Sequence, residues 1–167
     1  ANIKFTNYLV KLVIKNQMRN ILIIGAGRSS SSLIKYLLDK SEKENLHITV
    51  GDISIEDAIH KLENHPNSTS IRLDVFNEKE RVKAIKKADI VISMLPASLH
   101  IEVAKDCITY KKNMVTASYI SNEMEALDSK VKENGLVFMN EIGVDPGIDH
   151  MSAMQVIDSI NAKGGKM

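Results

Sequence analysis

Tryptophan is absent, only one cysteine (Cys107) occurs, and three prolines are the only ones in the chain. A lone thiol closes no internal disulfide and builds no multi-cysteine zinc cluster, and it is compatible with a reducing compartment, the cytoplasm by default. No charge sign dominates either: 22 Lys and Arg stand against 21 Asp and Glu, a formal net charge of +1. Such a balance carries no electrostatic footprint for nucleic acid or an anionic membrane surface, and it points to a small-molecule partner. No apolar run approaches the roughly 18 residues that a membrane span needs. What remains is ordinary globular usage, 44% hydrophobic and 26% charged over 167 residues, enough for one compact domain and short for a two-domain enzyme.

Both ends carry expectations of their own. Residues Ala1 to Gln17 mix lysines with Ile, Val and Leu and lack a small-residue cleavage site, so they read as neither signal peptide nor span. Met18, followed at once by Arg19, Asn20 and the run Ile21 to Ile24, is the expected natural start. The alternative is an amphipathic N-terminal helix packed on the domain. At the far end Gly164 and Gly165 resemble a helix terminator rather than a tail, and the chain is expected to be a fragment.

Between these ends short β-rich runs alternate with helical spacing. Strands are expected at Asn20–Ile24, His47–Val50, Ser70–Leu73, Ile90–Met94, Met114–Ala117 and Leu136–Met139, and helices at Ser30–Asp39, Ile55–Asn64, Glu78–Lys87, Leu99–Tyr110 and Asn122–Asn134. Alternation of this kind predicts an α/β fold, a Rossmann-type doubly wound parallel sheet of about six strands with helices on both faces. Strands that are nearly unbroken apolar runs are what burial on both sides requires. The serine run Ser29 to Ser32 is placed at a helix N-terminus, where hydroxyls cap free N–H groups.

The first strand leads directly into Gly25-Ala26-Gly27-Arg28-Ser29-Ser30, a G-x-G-x-x-S string. Gly25 permits a tight turn, Gly27 lets backbone approach a pyrophosphate, and the amides and dipole of the next helix supply an anion site; Ser30 replaces the third glycine. An acid, Asp52, closes the second strand. Its carboxylate suits the adenosine ribose hydroxyls and repels a 2′-phosphate, which favours NAD over NADP; a solvated turn acid is the other reading. Ile53 and Ser54 offer no guanidinium, so Arg28 in the turn is the alternative receiver of such a phosphate. Asp74 and Val75, after the third strand, fall where adenine is flanked, and Leu95 to Ser98 follow the fourth strand at the edge where ligands bind. His100 and His150 are the histidines nearest this edge in sequence, and each reads more simply as packed or solvated than as catalytic. Cys107, in an apolar helix, reads as a small buried hydrophobe.

Four strings taken together, Gly25 to Arg28, Val91 to His100, Val115 to Tyr119 and Asn140 to Met151, resemble saccharopine dehydrogenase of the L-glutamate-forming type over Met18 to Met167. The resemblance implies cofactor contacts at Ala26, Gly27, Arg28 and Ser29, at Asp52, Ile53 and Ser54, at Asp74 and Val75, at Leu95, at Ala117 and Ser118, and at Val144, Asp145 and Pro146. It implies substrate contacts at Ser118, Tyr119 and Asp145, and leaves the proton-transfer residue unknown. Because NADP-using members carry arginine where this chain has Ile53, it leans toward NAD. The implied organisation is an extension at 1–17, a cofactor domain at 18–145, and residues 146–167 as the start of a linker into a substrate and dimerisation domain, giving a homodimer at full length. The implied reaction, a step of lysine metabolism, oxidises the secondary amine of saccharopine; water then yields L-glutamate and 2-aminoadipate 6-semialdehyde. A helix from Pro146 to Asn161 with Asp145 as its N-cap is an equal explanation of that aspartate from the residues alone. An isolated NAD-binding module without turnover, or a carboxyspermidine-type amine dehydrogenase, are the competing functions.

Overall fold

In the computed structural model, which describes residues 18–165, six parallel strands form one sheet in the order β3-β2-β1-β4-β5-β6. The expectations for residues 1–17, and for Lys166 and Met167, lie outside the described residues. The strands are β1 (Arg19–Ile24), β2 (Leu46–Asp52), β3 (Ser68–Arg72), β4 (Ile90–Ser93), β5 (Asn113–Thr116) and β6 (Phe138–Met139). Between them run α1 (Ser31–Glu44), α2 (Ile55–Leu62), α3 (Glu78–Lys87), α4 (His100–Thr109), α5 (Asn122–Glu125) and α6 (Asp128–Glu133), with α7 (Ile148–Ala162) last. The sequence order doubles back between β1 and β4, so the strand ends there open a crevice at a topological switch point.

The apolar run of β1 explains the two layers. Alternate side chains leave a strand on opposite faces. Ile21 and Ile23 join Ile34 and Leu38 of α1 and Ala58 and Leu62 of α2 on one face. Leu22 and Ile24 join Ala84 and Ile85 of α3 and Val103, Ala104 and Cys107 of α4 on the other. Every central residue of β1 is therefore buried, and its C-terminal end is rigidly placed. In contrast α7 buries no residue and exposes Ile148, Met151, Met154 and Val156.

Three local expectations need correction. The serines do not cap α1: Arg28–Ser30 form a 3-10 turn, and the Ser30 hydroxyl donates back to the Gly27 carbonyl at 2.8 Å instead of accepting from an amide. The stretch Asn122–Asn134 is two short helices, because the Leu127 amide bonds the Met124 carbonyl three residues back and tightens the chain between them. Asp145 is not an N-cap. The cap of α7 is Gly147 (φ +141°), and the side chain that reaches its amide is that of Asp149, at 2.9 Å.

Candidate dinucleotide and substrate site

The turn after β1 is held from both sides by continuation of the sheet. The Gly25 amide donates to the Gly51 carbonyl and the Met94 amide to the Ile24 carbonyl, each at 2.8 Å. Gly25 has φ +108°, and a Cβ there would stand 2.8 Å from the Met94 carbonyl oxygen, so both the backbone angle and the neighbouring strand demand glycine. Gly27 is different. A Cβ on it would meet nothing within 4 Å, which leaves open space in front of the turn for a ligand to approach backbone.

The amides around this space are unequally engaged. Ala26 donates to Asp52 Oδ2 at 2.6 Å, and Ser30 donates to the Gly27 carbonyl at 3.1 Å. Within the described residues no acceptor engages the amides of Gly27, Arg28 and Ser29. Three exposed donors at the start of a helix make an anion cradle, and they fit a dinucleotide pyrophosphate. Arg28 is exposed beside them.

Asp52 sits where the parallel register places it, one residue past Gly51, which pairs with Ile24. Its second oxygen accepts the Ser54 amide at 3.0 Å. Both oxygens thus hold backbone, one on each side of β2's end. Ile53 is exposed, while the Ser54 hydroxyl accepts the Asp57 amide and caps α2. Asp74 accepts the Phe76 amide, and Val75 packs on the core with its carbonyl bound by the buried Arg81, which is in turn paired with Asp106 at 2.6 Å. These two residues follow β3 directly, and the Leu73 amide just before them donates to the Asp52 carbonyl at 2.8 Å.

Across the switch point a cavity of about 370 Å³ brings the rest together. Its walls include Ser29 from the turn, Leu95 after β4, Ala117, Ser118 and Tyr119 after β5, and Asp145 with Pro146 from the 143–147 loop. Val144 is exposed and does not line it. The Tyr119 hydroxyl donates to Asp145 Oδ1 at 2.5 Å, and this bond, with the nearby acids, pushes the phenol up to about 12. The Asp145–Pro146 peptide is cis. A larger cavity, about 580 Å³, lies against β3 and α3. It holds no residue of the glycine turn or of the 116–119 segment, so volume alone does not locate the chemistry.

Two histidines separate here. His150 is exposed and pairs with Asp149 at 2.8 Å, which raises its pKa. His100 lines the cavity but is buried, with its ring among the hydroxyls of Ser93, Thr116 and Ser118. In the sequence alone it reads as a lone histidine. The available signal was the alignment of two strand-final hydroxyl residues, Ser93 and Thr116, beside a helix that opens on histidine. Glu141, whose carboxylate accepts the Ile120 amide at 3.2 Å, was also missed. Cys107 is fully buried, as expected, and burial foremost pushes its thiol up to about 12. Among the described residues no cluster of His, Cys, Asp and Glu suited to a metal occurs, and no helix is long and apolar enough to cross a membrane.

A parallel sheet in 3-2-1-4-5-6 order, with a glycine turn offering free amides at the end of its first strand, defines a Rossmann-type domain of the dinucleotide-binding kind. The chain belongs to the family described as the saccharopine dehydrogenase NADP binding domain, which matches residues 21–139. It is 37% identical to alpha-aminoadipic semialdehyde synthase of Arabidopsis thaliana, across 88% of this chain and 15% of that protein. It is equally 37% identical to saccharopine dehydrogenase [NADP(+), L-glutamate-forming] of Pyricularia oryzae, across 89% of this chain and 32% of that one. The apo saccharopine dehydrogenase (L-Glu forming) of Saccharomyces cerevisiae superposes with a TM-score of 0.78 at 34% identity, covering 89% of this chain and 33% of the other. An NAD binding oxidoreductase of Klebsiella pneumoniae, 14% identical with a TM-score of 0.57, shares the fold. The chain spans a third or less of the length of these saccharopine dehydrogenase and synthase relatives. The preference for NAD expected from Asp52 gains no support, since the family description names NADP. The physical premise also weakens, because the Asp52 carboxylate already accepts two backbone amides.

Proposed function

We propose that this domain holds NADP as the cofactor-binding part of an enzyme that oxidises saccharopine to L-glutamate and 2-aminoadipate 6-semialdehyde. The observation that carries the reading is the set of three unengaged amides at Gly27, Arg28 and Ser29 facing open space. In this reading they take the pyrophosphate, Asp52 lies against the adenosine ribose with Ile53 and Ser54, and Asp74 and Val75 flank the adenine. NADP is favoured over NAD because Arg28 stands exposed in the turn to meet a 2′-phosphate, and because the Asp52 charge is partly spent on backbone. Leu95, Ala117 and Ser118 face the nicotinamide half, with Val144 and Pro146 at its border.

The bound cofactor supplies the hydride acceptor; the chain's own groups orient the amine. Asp145 offers a carboxylate to a substrate ammonium. Tyr119, kept protonated by that carboxylate, and Ser118 offer hydroxyls to the substrate. Residues 18–145 form the cofactor domain in this proposal, and 146–167 lead toward a substrate and dimerisation domain, which agrees with the uncovered apolar side chains of α7. The setting is a reducing compartment, the cytoplasm. The test is NADPH formation from saccharopine and NADP+ by the protein carrying this chain at the length of its relatives. Turnover of that mixture supports the proposal; turnover only with carboxyspermidine-type amines overturns it.

A further inference from the structure

His100 opens α4 and is 3% exposed. Nδ1 lies 2.8 Å from Ser93 Oγ; Nε2 lies 2.8 Å from Ser118 Oγ and 3.0 Å from Thr116 Oγ1. Ser93 and Thr116 end β4 and β5 and pair in register, and Ser118 stands in the loop two residues further on. One ring thus ties together the strand ends on the side of the sheet that takes the second mononucleotide half.

The partners decide what the ring does. All three are hydroxyls, no carboxylate accompanies them, and burial lowers the imidazole pKa, so the ring carries one N–H and one lone pair near neutrality. If Nδ1–H donates to Ser93, the Nε2 lone pair is shared between the Ser118 and Thr116 hydroxyls, and when Ser118 donates it shows only lone pairs to the cavity. If Nε2–H donates to Ser118, the serine keeps its own O–H for the cavity. Ser93 is buried, and among the described residues its hydroxyl has no partner besides His100.

We infer that His100 is a positioning residue: acting through Ser118, it sets the direction of that hydroxyl and the course of the 116–119 backbone at the nicotinamide end of the bound dinucleotide. This rests on the dinucleotide reading above.

The test uses NADPH as the probe and compares two amides of different reach. Asparagine at 100 retains the Ser93 end of the ring but not the Ser118 end; glutamine reaches the Ser118 end. His100→Asn is expected to raise the NADPH Kd about tenfold, the worth of one hydrogen bond. His100→Gln keeps it close to the wild-type value. Adding His100→Asn to Ser118→Ala costs less than the sum of the two single losses, because both remove the same Ser118 orientation. Equal Kd values for the Asn and Gln variants, or additive losses in the double variant, overturn the inference. Imidazole ¹⁵N spectra of the unsubstituted chain provide an arm that needs no variant: a neutral ring in one tautomer at pH 7 supports the role, and a charged ring contradicts it. Failure of the wild-type chain to bind NADPH removes the dinucleotide reading and this role with it, whereas normal wild-type binding that His100→Asn leaves untouched removes this role alone.

Discussion

The Asp52 carboxylate accepts the Ala26 amide at 2.6 Å, so the residue that closes β2 also fixes the turn that leaves β1. The same group accepts the Ser54 amide at 3.0 Å. Asp52→Ala leaves two partly buried amides without an acceptor and is expected to lower the unfolding free energy by about 1–3 kcal/mol. Asp52→Asn, which keeps one acceptor oxygen, should lose less. Urea denaturation midpoints check this, and an unchanged midpoint in the alanine variant contradicts it.

Gly25 and Gly27 are expected to respond in opposite ways to the same change. Gly25→Ala places a methyl 2.8 Å from the Met94 carbonyl at φ +108°, and should destabilise the fold by about 1–3 kcal/mol. Gly27→Ala meets no protein atom within 4 Å, so its thermal midpoint should stay near the wild-type value while dinucleotide affinity falls. Thermal melts paired with NADPH titrations separate the two.

Tyr119 should ionise late. Its hydrogen bond to Asp145 holds the phenol to about 12, against about 10 for an unperturbed tyrosine. The folded state therefore binds the proton more tightly than the unfolded one. This contribution is fully present below pH 10 and is lost as pH rises through the interval to about 12. Ultraviolet difference titration should show a late step that Tyr119→Phe removes and Asp145→Asn moves back toward about 10. A Tyr119 step already complete near pH 10 contradicts the pair.

Cys107 should be inert in the folded chain. Its side chain is fully buried and its thiol sits near 12, so little thiolate exists at neutral pH. Alkylation by iodoacetamide is expected only at the rate of unfolding, and prompt labelling under native conditions counts against the described core.

The sheet was legible because β1 and β4 carry the apolar runs Ile21 to Ile24 and Ile90 to Ile92 and because glycine and acid fall at strand ends; those signals are local. Contacts that depend on tertiary partners were not. An Asp-Pro pair before a helical pattern reads as a cap, yet Tyr119, twenty-six residues earlier, captures the Asp145 carboxylate, and the cap moves to Gly147. Nothing between Glu125 and Asp128 marks a break, since neither glycine nor proline occurs there, and the tightened bond at Leu127 alone divides the helix. His100 looked solitary because its three partners come from two strands and a loop that only the parallel register aligns. Asp52 does close β2, but neither the ribose reading nor that of a solvated turn acid reveals that its oxygens face backbone amides.

Backbone amide spectroscopy during a titration with NADP+ tests the central claim most directly. The account expects saturable binding in which the ¹H–¹⁵N resonances of Gly27, Arg28 and Ser29 shift most, while the Ala26 amide, already held by Asp52, moves little. Saturable binding that leaves those three resonances in place and perturbs the cavity beside β3 and α3 instead would contradict it.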